Sequence, residues 1–243
     1  EAFEEYAIEA AILKVYGSEA LYYVVDEGVQ IHGGMGYSAE MPIERGYRDS
    51  RINRIFEGTN EINRLVTIDT LNKRGAKHDY DLYEEGEAVL NSLPSLEGCS
   101  CCVEGYYENK KEAIRNFKKT GLMLMKAVSE KFGRAMGNEQ EILNNISNIV
   151  MSVYVAESTL LRIQKKEEIL GEDVSLYKDI LDVFVYDTAG LVRKEAFDAV
   201  NSFAEGEALE LMSNGIRHFT CVKGVNVKDA RRRIADKLIE ENR

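Results

Sequence analysis

Proline occurs at only two of the 243 positions, Pro42 and Pro94. Proline removes a backbone donor and clashes inside a helix, so a chain nearly free of it can run in long, uninterrupted helices. The apolar residues follow that lead. Ile114, Phe117, Gly121, Leu124 and Val128 recur at steps of three and four, as do Ile142, Ile146, Ile149, Val153, Ala156, Leu160 and Ile163. Leu181, Phe184, Val185, Thr188 and Val192 make a third stripe. Gly133, Gly137 and Gly171 punctuate the gaps, so three long helices are expected to fold back on one another as an antiparallel bundle. A shorter helix is expected near 206–217, and a basic one, "VKDARRRIADKLIEENR", at the end. No regularly spaced runs of alternating Val, Ile and Thr lie between turn signals, which argues against a sandwich or barrel. The expected class is all-α.

The first third reads differently. It opens inside a helical pattern, residues 2–32, with Tyr6, Ala10, Leu13, Gly17, Ala20, Val24 and Gly28 as the expected packing stripe. A sequence that starts in mid-helix is expected to be the C-terminal piece of something longer. Gly33-Gly34 should end this helix, because glycine takes the left-handed conformation that stops one. "MPIERGYRDSR" suits a short helix with Pro42 in its first turn. "INRIFEG" is too short and broken for one. Thr59 is the expected cap of a restart that Glu61 supports in its first turn and that Lys73, Arg74 and Gly75 close. Residues 76–106, with Pro94 and Gly98, read as a polar, turn-rich linker. The expected division is therefore 1–75, a linker over 76–106, and a helical domain over 107–243.

Charge and cysteine usage narrow the function. A net charge of -11 argues against nucleic acid, which needs a basic field. No apolar run approaches the roughly 18–20 residues of a membrane span, and no signal peptide opens the sequence. Cys99, Cys101 and Cys102 lack C-x-x-C spacing and a nearby histidine, so no metal site is expected there. All four cysteines, Cys221 included, are expected to be reduced thiols in a reducing compartment.

The interruption of helix at "QIHGGMGYSAEMPIERGYRDSRINRIFEGTNEINRL", residues 30–65, is the candidate site. Glu57 sits on a non-helical connection directly before Gly58 and a helix start. A helix N-terminus presents unpaired N–H groups and positive partial charge, a place that suits phosphates or ring oxygens. A carboxylate there is favoured as the anion, and desolvation by an entering substrate would raise its basicity. Gly58 lets a backbone or a flat ligand approach closely. Gln30, Gly33 and Gly34 offer an amide and bare backbone at a second helix end. The bland alternative is a charge at a helix start among turn glycines.

Taken in order, "QIHGGMGY", "ERGYRDSRI" and "IFEGTNEINRL" resemble the C-terminal α-domain signature of the acyl-CoA dehydrogenases, over residues 1 to about 72. The resemblance implies that Glu57, in the "EGT" position, abstracts the α-proton of an acyl-CoA thioester while a hydride leaves the β-carbon for flavin N5, a step of fatty acid β-oxidation. It implies that the backbone N–H of Glu57, with a flavin ribityl hydroxyl, holds the thioester carbonyl. It places Thr59 and Glu61 on FAD of the same subunit, Gln30 and Gly34 on FAD of a neighbouring subunit, and Gly58 beside the substrate. Arg45, Arg48, Arg51 and Asp49 are expected to form a structural ion-pair network instead.

Residues 76–243 extend past the end of the short- and medium-chain enzymes and resemble the very-long-chain subset, which implies a dimer and contact with a membrane surface. The last 21 residues carry seven Lys or Arg against four Asp or Glu, a balance that could rest on anionic lipid or simply pair with neighbouring acids. The family's N-terminal helical and middle β-domains have no counterpart here, so this chain alone is expected to bind FAD poorly and not to turn over. An electron-transfer flavoprotein is the implied electron acceptor. Cytoplasm, or the mitochondrial matrix in a eukaryote, is the implied location. The competing class is a non-catalytic helical module for oligomerisation or membrane docking.

Overall fold

The computed structural model describes residues 5–75, 81–98 and 103–242. Among them every regular element is helical and no strand occurs. The chain divides into two compact units, Glu1–Asp79 and Tyr80–Arg243.

In the first unit, α1 (Ala7–His32) packs along α2 (Pro42–Arg51) and α3 (Asn60–Gly75). It stops at Gly33, whose φ of 60° lies where a β-carbon would crowd the carbonyl. A 3-10 turn over Gly33–Tyr37 follows, and a second over Ile52–Arg54 leads from α2 toward Glu57. Pro42 occupies the first turn of α2. Gly28 permits the α1–α2 approach, since a β-carbon there would lie 2.8 Å from Ile43 Cδ1.

The expected packing stripe of α1 is not the buried one. Ile8, Ala11, Ile12, Val15 and Ser18 face inward, whereas Tyr6, Leu13 and Val24 are exposed. The helix is apolar on both sides, so its 3.6-residue period alone could not choose between them. The choice follows Ile68 and the fully buried Asn60 of α3, which meet the inward face.

In the second unit, α5 (Tyr106–Phe132), α6 (Gln140–Glu168) and α7 (Ser175–Phe203) pack against each other in the expected bundle. Phe117, Leu124, Ile146, Ile149, Leu160 and Leu181 are fully enclosed among them. The shorter α8 (Gly206–Phe219) packs on α5 and α7, and α9 (Val227–Glu241) lies on α7.

The segment read as a linker contains α4 (Leu82–Ser92), which packs on α5. Asp81 caps it by accepting from the N–H groups of Tyr83 and Glu84. Gly86 lets the two helices touch, because a β-carbon there would stand 2.6 Å from the Leu122 carbonyl oxygen. The helix is short and polar, with Glu84, Glu85 and Glu87, and this hid it among turn residues.

Cys221 is disulfide-bonded, which corrects the expectation of four reduced thiols. Cys99, Cys101 and Cys102 lie outside the described residues. No helix among the described residues is long and apolar enough to cross a membrane. In α9, Arg231 pairs with Asp187 at 2.7 Å, and Arg233 holds Asp179 through two bonds at 2.6 and 2.8 Å. Two cations of the basic tail are thus engaged with α7 rather than free for lipid. The Arg233 guanidinium holds the Asp179 carboxyl below its ordinary range.

Candidate active site

Among the described residues, the backbone at Glu57 stands apart. Glu57 has φ of 55°, the sole non-glycine residue among those described with a positive value. Such a conformation costs an L-residue about 1–2 kcal/mol and persists only where its surroundings fix it. Gly58 continues the turn at φ 81° without that cost. Both residues are exposed, so an approaching molecule can reach the carboxylate and the bare backbone beside it.

The helix start behind them is ordered by side chains. Thr59 Oγ1 accepts the Ile62 N–H at 3.3 Å, the capping role expected of it. Asn63 Nδ2 donates to the Gly58 carbonyl at 2.9 Å and the Thr59 carbonyl at 3.1 Å. Glu61 receives a bond from its own backbone N–H and another from the Thr59 hydroxyl, and these hold its carboxyl below the ordinary 4.5. It stands as an anion at the positive end of α3.

Sequence reasoning missed the residues that tie this turn to α1. Lys14 Nζ donates to the Gly58 carbonyl at 2.6 Å and to Asn60 Oδ1 at 2.8 Å. Asn60 is completely buried. Its amide nitrogen donates to Ser18 Oγ at 2.9 Å and to Glu19 Oε1 at 3.2 Å. Arg64 grips Glu19 at 2.8 and 3.0 Å. A faint signal existed: Lys14 lies beside Ala11, Val15 and Ser18 on the face that is buried, where a cation needs a partner.

The approach to the turn is fixed from α1 as well. The Arg54 guanidinium lies 5.0 Å over the Tyr22 ring. Tyr22 and Tyr47 share a hydroxyl contact of 3.1 Å, which pushes the Tyr47 phenol up to about 12. Among the described residues the expected arginine network does not form. Arg48 pairs with Glu44 at 3.2 Å within α2, but Arg45, Arg51 and Asp49 make no ion pair among the described residues. Arg45 and Asp49 stand four residues apart on α2, a spacing that would allow a pair, so local spacing does not account for its absence.

Gln30 is exposed on the last turn of α1, its carbonyl accepting the Gly33 N–H. Gly34 follows in the 3-10 turn, with open space where a β-carbon would stand. Among the described residues no hydrogen bond joins either one to Glu57, Gly58, Thr59 or Glu61. The unit therefore presents two separate groups, one at each helix end.

Comparison with known proteins agrees with both parts of the chain. The family described as "Acyl-CoA dehydrogenase, C-terminal domain" matches residues 2–71, and a second family of that description matches residues 116–218. A probable acyl-CoA dehydrogenase of Bacillus subtilis (strain 168) is 38% identical over 99% of this chain and 40% of its own length. The mitochondrial very long-chain specific acyl-CoA dehydrogenase of Rattus norvegicus is 57% identical over 40% of this chain and 14% of that protein. The crystal structure of an acyl-CoA dehydrogenase complexed with FAD from Bacillus anthracis superposes with a TM-score of 0.89. That match has 38% identity and covers 96% of this chain and 40% of that one. The chain thus spans about 40% of the length of its full-extent relatives.

Proposed function

This chain belongs to the acyl-CoA dehydrogenase family, and on that premise we propose that the protein carrying it oxidises acyl-CoA thioesters across the α,β-bond, with Glu57 as the base. The observation that carries this reading is the strained, exposed backbone at Glu57, beside a glycine and at a helix start. Backbone strain of this kind persists at sites where a side chain must be aimed.

In the proposed step the Glu57 carboxylate takes the α-proton of the thioester. The backbone N–H of Glu57 steadies the thioester oxygen as charge builds on it. Gly58, lacking a side chain, leaves room for the acyl group. The product is the trans-enoyl thioester, with the proton left on Glu57.

The residues present suit FAD in kind. Thr59 offers a hydroxyl and Glu61 a carboxylate able to accept from a sugar or ribityl hydroxyl, at the positive end of α3. Gln30 offers an amide, and Gly34 an unobstructed backbone, which a second subunit's cofactor could approach. Bound FAD would supply the acceptor for the hydride that leaves the β-carbon. This reading carries with it an electron-transfer flavoprotein as the electron acceptor, a homodimer as the assembly, and an inactive state for the 243-residue chain alone.

The experiment is Glu57→Gln in the full-length protein loaded with FAD. Removal of a positioned base costs about 10²–10⁴-fold in rate, so bleaching of the flavin by acyl-CoA should slow by at least that lower bound while flavin content stays unchanged. Bleaching at the unmodified rate would remove Glu57 from the role.

A further inference from the structure

The motifs around Glu57 do not contain the cation that reaches its turn from α1. We infer that Lys14 is a positioning residue for Glu57: its ammonium clamps the Gly58 carbonyl and thereby sets the direction of the neighbouring carboxylate, an inference that rests on the reading of Glu57 as the base.

Lys14 lies 44 residues before Gly58, in the middle of α1, yet its Nζ reaches the Gly58 oxygen at 2.6 Å. A second donor, Asn63 Nδ2, meets the same oxygen at 2.9 Å from α3. Two donors from two helices on one carbonyl fix the orientation of the Gly58–Thr59 peptide. The adjoining residue is then left with little freedom in its own backbone. Glu57 sits there with φ at 55°, a conformation that only its surroundings can impose.

The clamp has a firm base. A lysine ammonium has three donors and no acceptor, so it needs oxygens arranged around it. Asn60 Oδ1 supplies one at 2.8 Å. Asn60 is in turn fully buried and bonded to Ser18 and Glu19, with Arg64 holding Glu19. A path of charge-assisted bonds thus runs from Arg64 to the Gly58 carbonyl, all between α1 and α3. Asn60 and Ser18 at its centre are buried and the Arg64 side chain is largely enclosed, while its exposed end is the bond from Lys14 to the turn that carries Glu57.

The test uses the full-length protein loaded with FAD, comparing Lys14→Met, Lys14→Arg and Glu57→Gln. A misplacement of order 1 Å costs up to about 100-fold, so Lys14→Met should slow flavin reduction at saturating acyl-CoA by about 10- to 100-fold, with substrate-analogue affinity within about 2-fold and Lys14→Arg recovering to within about 3-fold. Amide hydrogen exchange, read without substrate, should quicken over residues 55–60 and stay unchanged in the second unit. Flavin reduction at the unmodified rate in Lys14→Met, with Glu57→Gln inactive, overturns the role of Lys14 and leaves Glu57 standing. So does a slow rate accompanied by faster exchange throughout and no recovery by arginine. Full activity in Glu57→Gln sinks the reading of the base, and this inference with it. If Lys14→Met does not fold, Lys14→Gln is judged by the same rate and exchange measurements.

Discussion

Between Tyr106 and Phe219 the helices close over Phe117, Met123, Leu124, Ile146, Ile149, Leu181 and Ile216, all but excluded from solvent. Between Ala7 and Gly75 they enclose Ile12, Val15 and Ile68, but beside them lie Asn60, Ser18 and Thr67, equally inaccessible. The first unit also leaves Leu13, Leu21, Tyr23, Val24, Ile31, Met35 and Phe56 exposed. The second region is held mainly by a broad apolar core whose parts can exchange volume, with Lys110, Asn116, Thr120 and Ser147 buried among them. The first is held by directional bonds that must all be made, because a buried polar group without a partner is costly. A broad apolar core gives stability. A polar lattice gives fixed positions, which is what a turn with an aimed carboxylate requires.

That contrast can be broken by substitution. Phe117→Ala in the second unit should cost about 3–5 kcal/mol, since it leaves a cavity among packed helices, read as a lowered midpoint in urea denaturation of the purified chain. The contrast fails if that core tolerates the change at under about 1 kcal/mol. In the first unit the sensitive site should be polar. Asn60→Ala removes one buried partner each from Ser18, Lys14 and Glu19, and should cost about 1–3 kcal/mol with an increase in hydrogen exchange confined to α1, α3 and the turn between α2 and α3. If Asn60→Ala is neutral, the lattice is not what holds this unit. The smallest effect has the opposite sign. Glu57→Gly relieves the left-handed strain and should stabilise the first unit by about 0.5–1 kcal/mol, measured by local exchange at residues 55–60, while the base is lost. A destabilised turn would show that the Glu57 side chain contributes to folding rather than being carried at its expense.

Much of the fold was legible because its signals are local. Thr59 as cap, Pro42 at a helix start and Gly33 at a helix end each act through bonds within a turn of the chain. The stripes from Ile114 to Val192 mark the buried faces of α5, α6 and α7 because the opposite faces carry Lys118, Glu157 and Lys194, leaving a single apolar side to bury. On α1 both sides were apolar, and the reading chose the exposed one. The helix Leu82–Ser92 was taken for linker because charge and a central glycine masked its pattern, while what demanded the glycine was the Leu122 carbonyl on another helix.

The candidate site divides in the same way. Order and spacing in "QIHGG" and "IFEGTNEI" marked Gln30, Gly34, Glu57, Gly58, Thr59 and Glu61, since each motif lies within one short stretch. Lys14 escaped, although its ammonium touches the same turn, because its partners are 44 and 46 residues away. By itself the sequence determined the helical class and most of the helix ends, products of steric and hydrogen-bonding rules acting over a few residues, and it carried the family signature as a set of ordered motifs. Only the tertiary structure decided which face of α1 is buried, which cation meets the Gly58 carbonyl and that Glu57 adopts a left-handed backbone. Those outcomes depend on groups distant in sequence sharing one small volume, and no local pattern encodes which of them will meet.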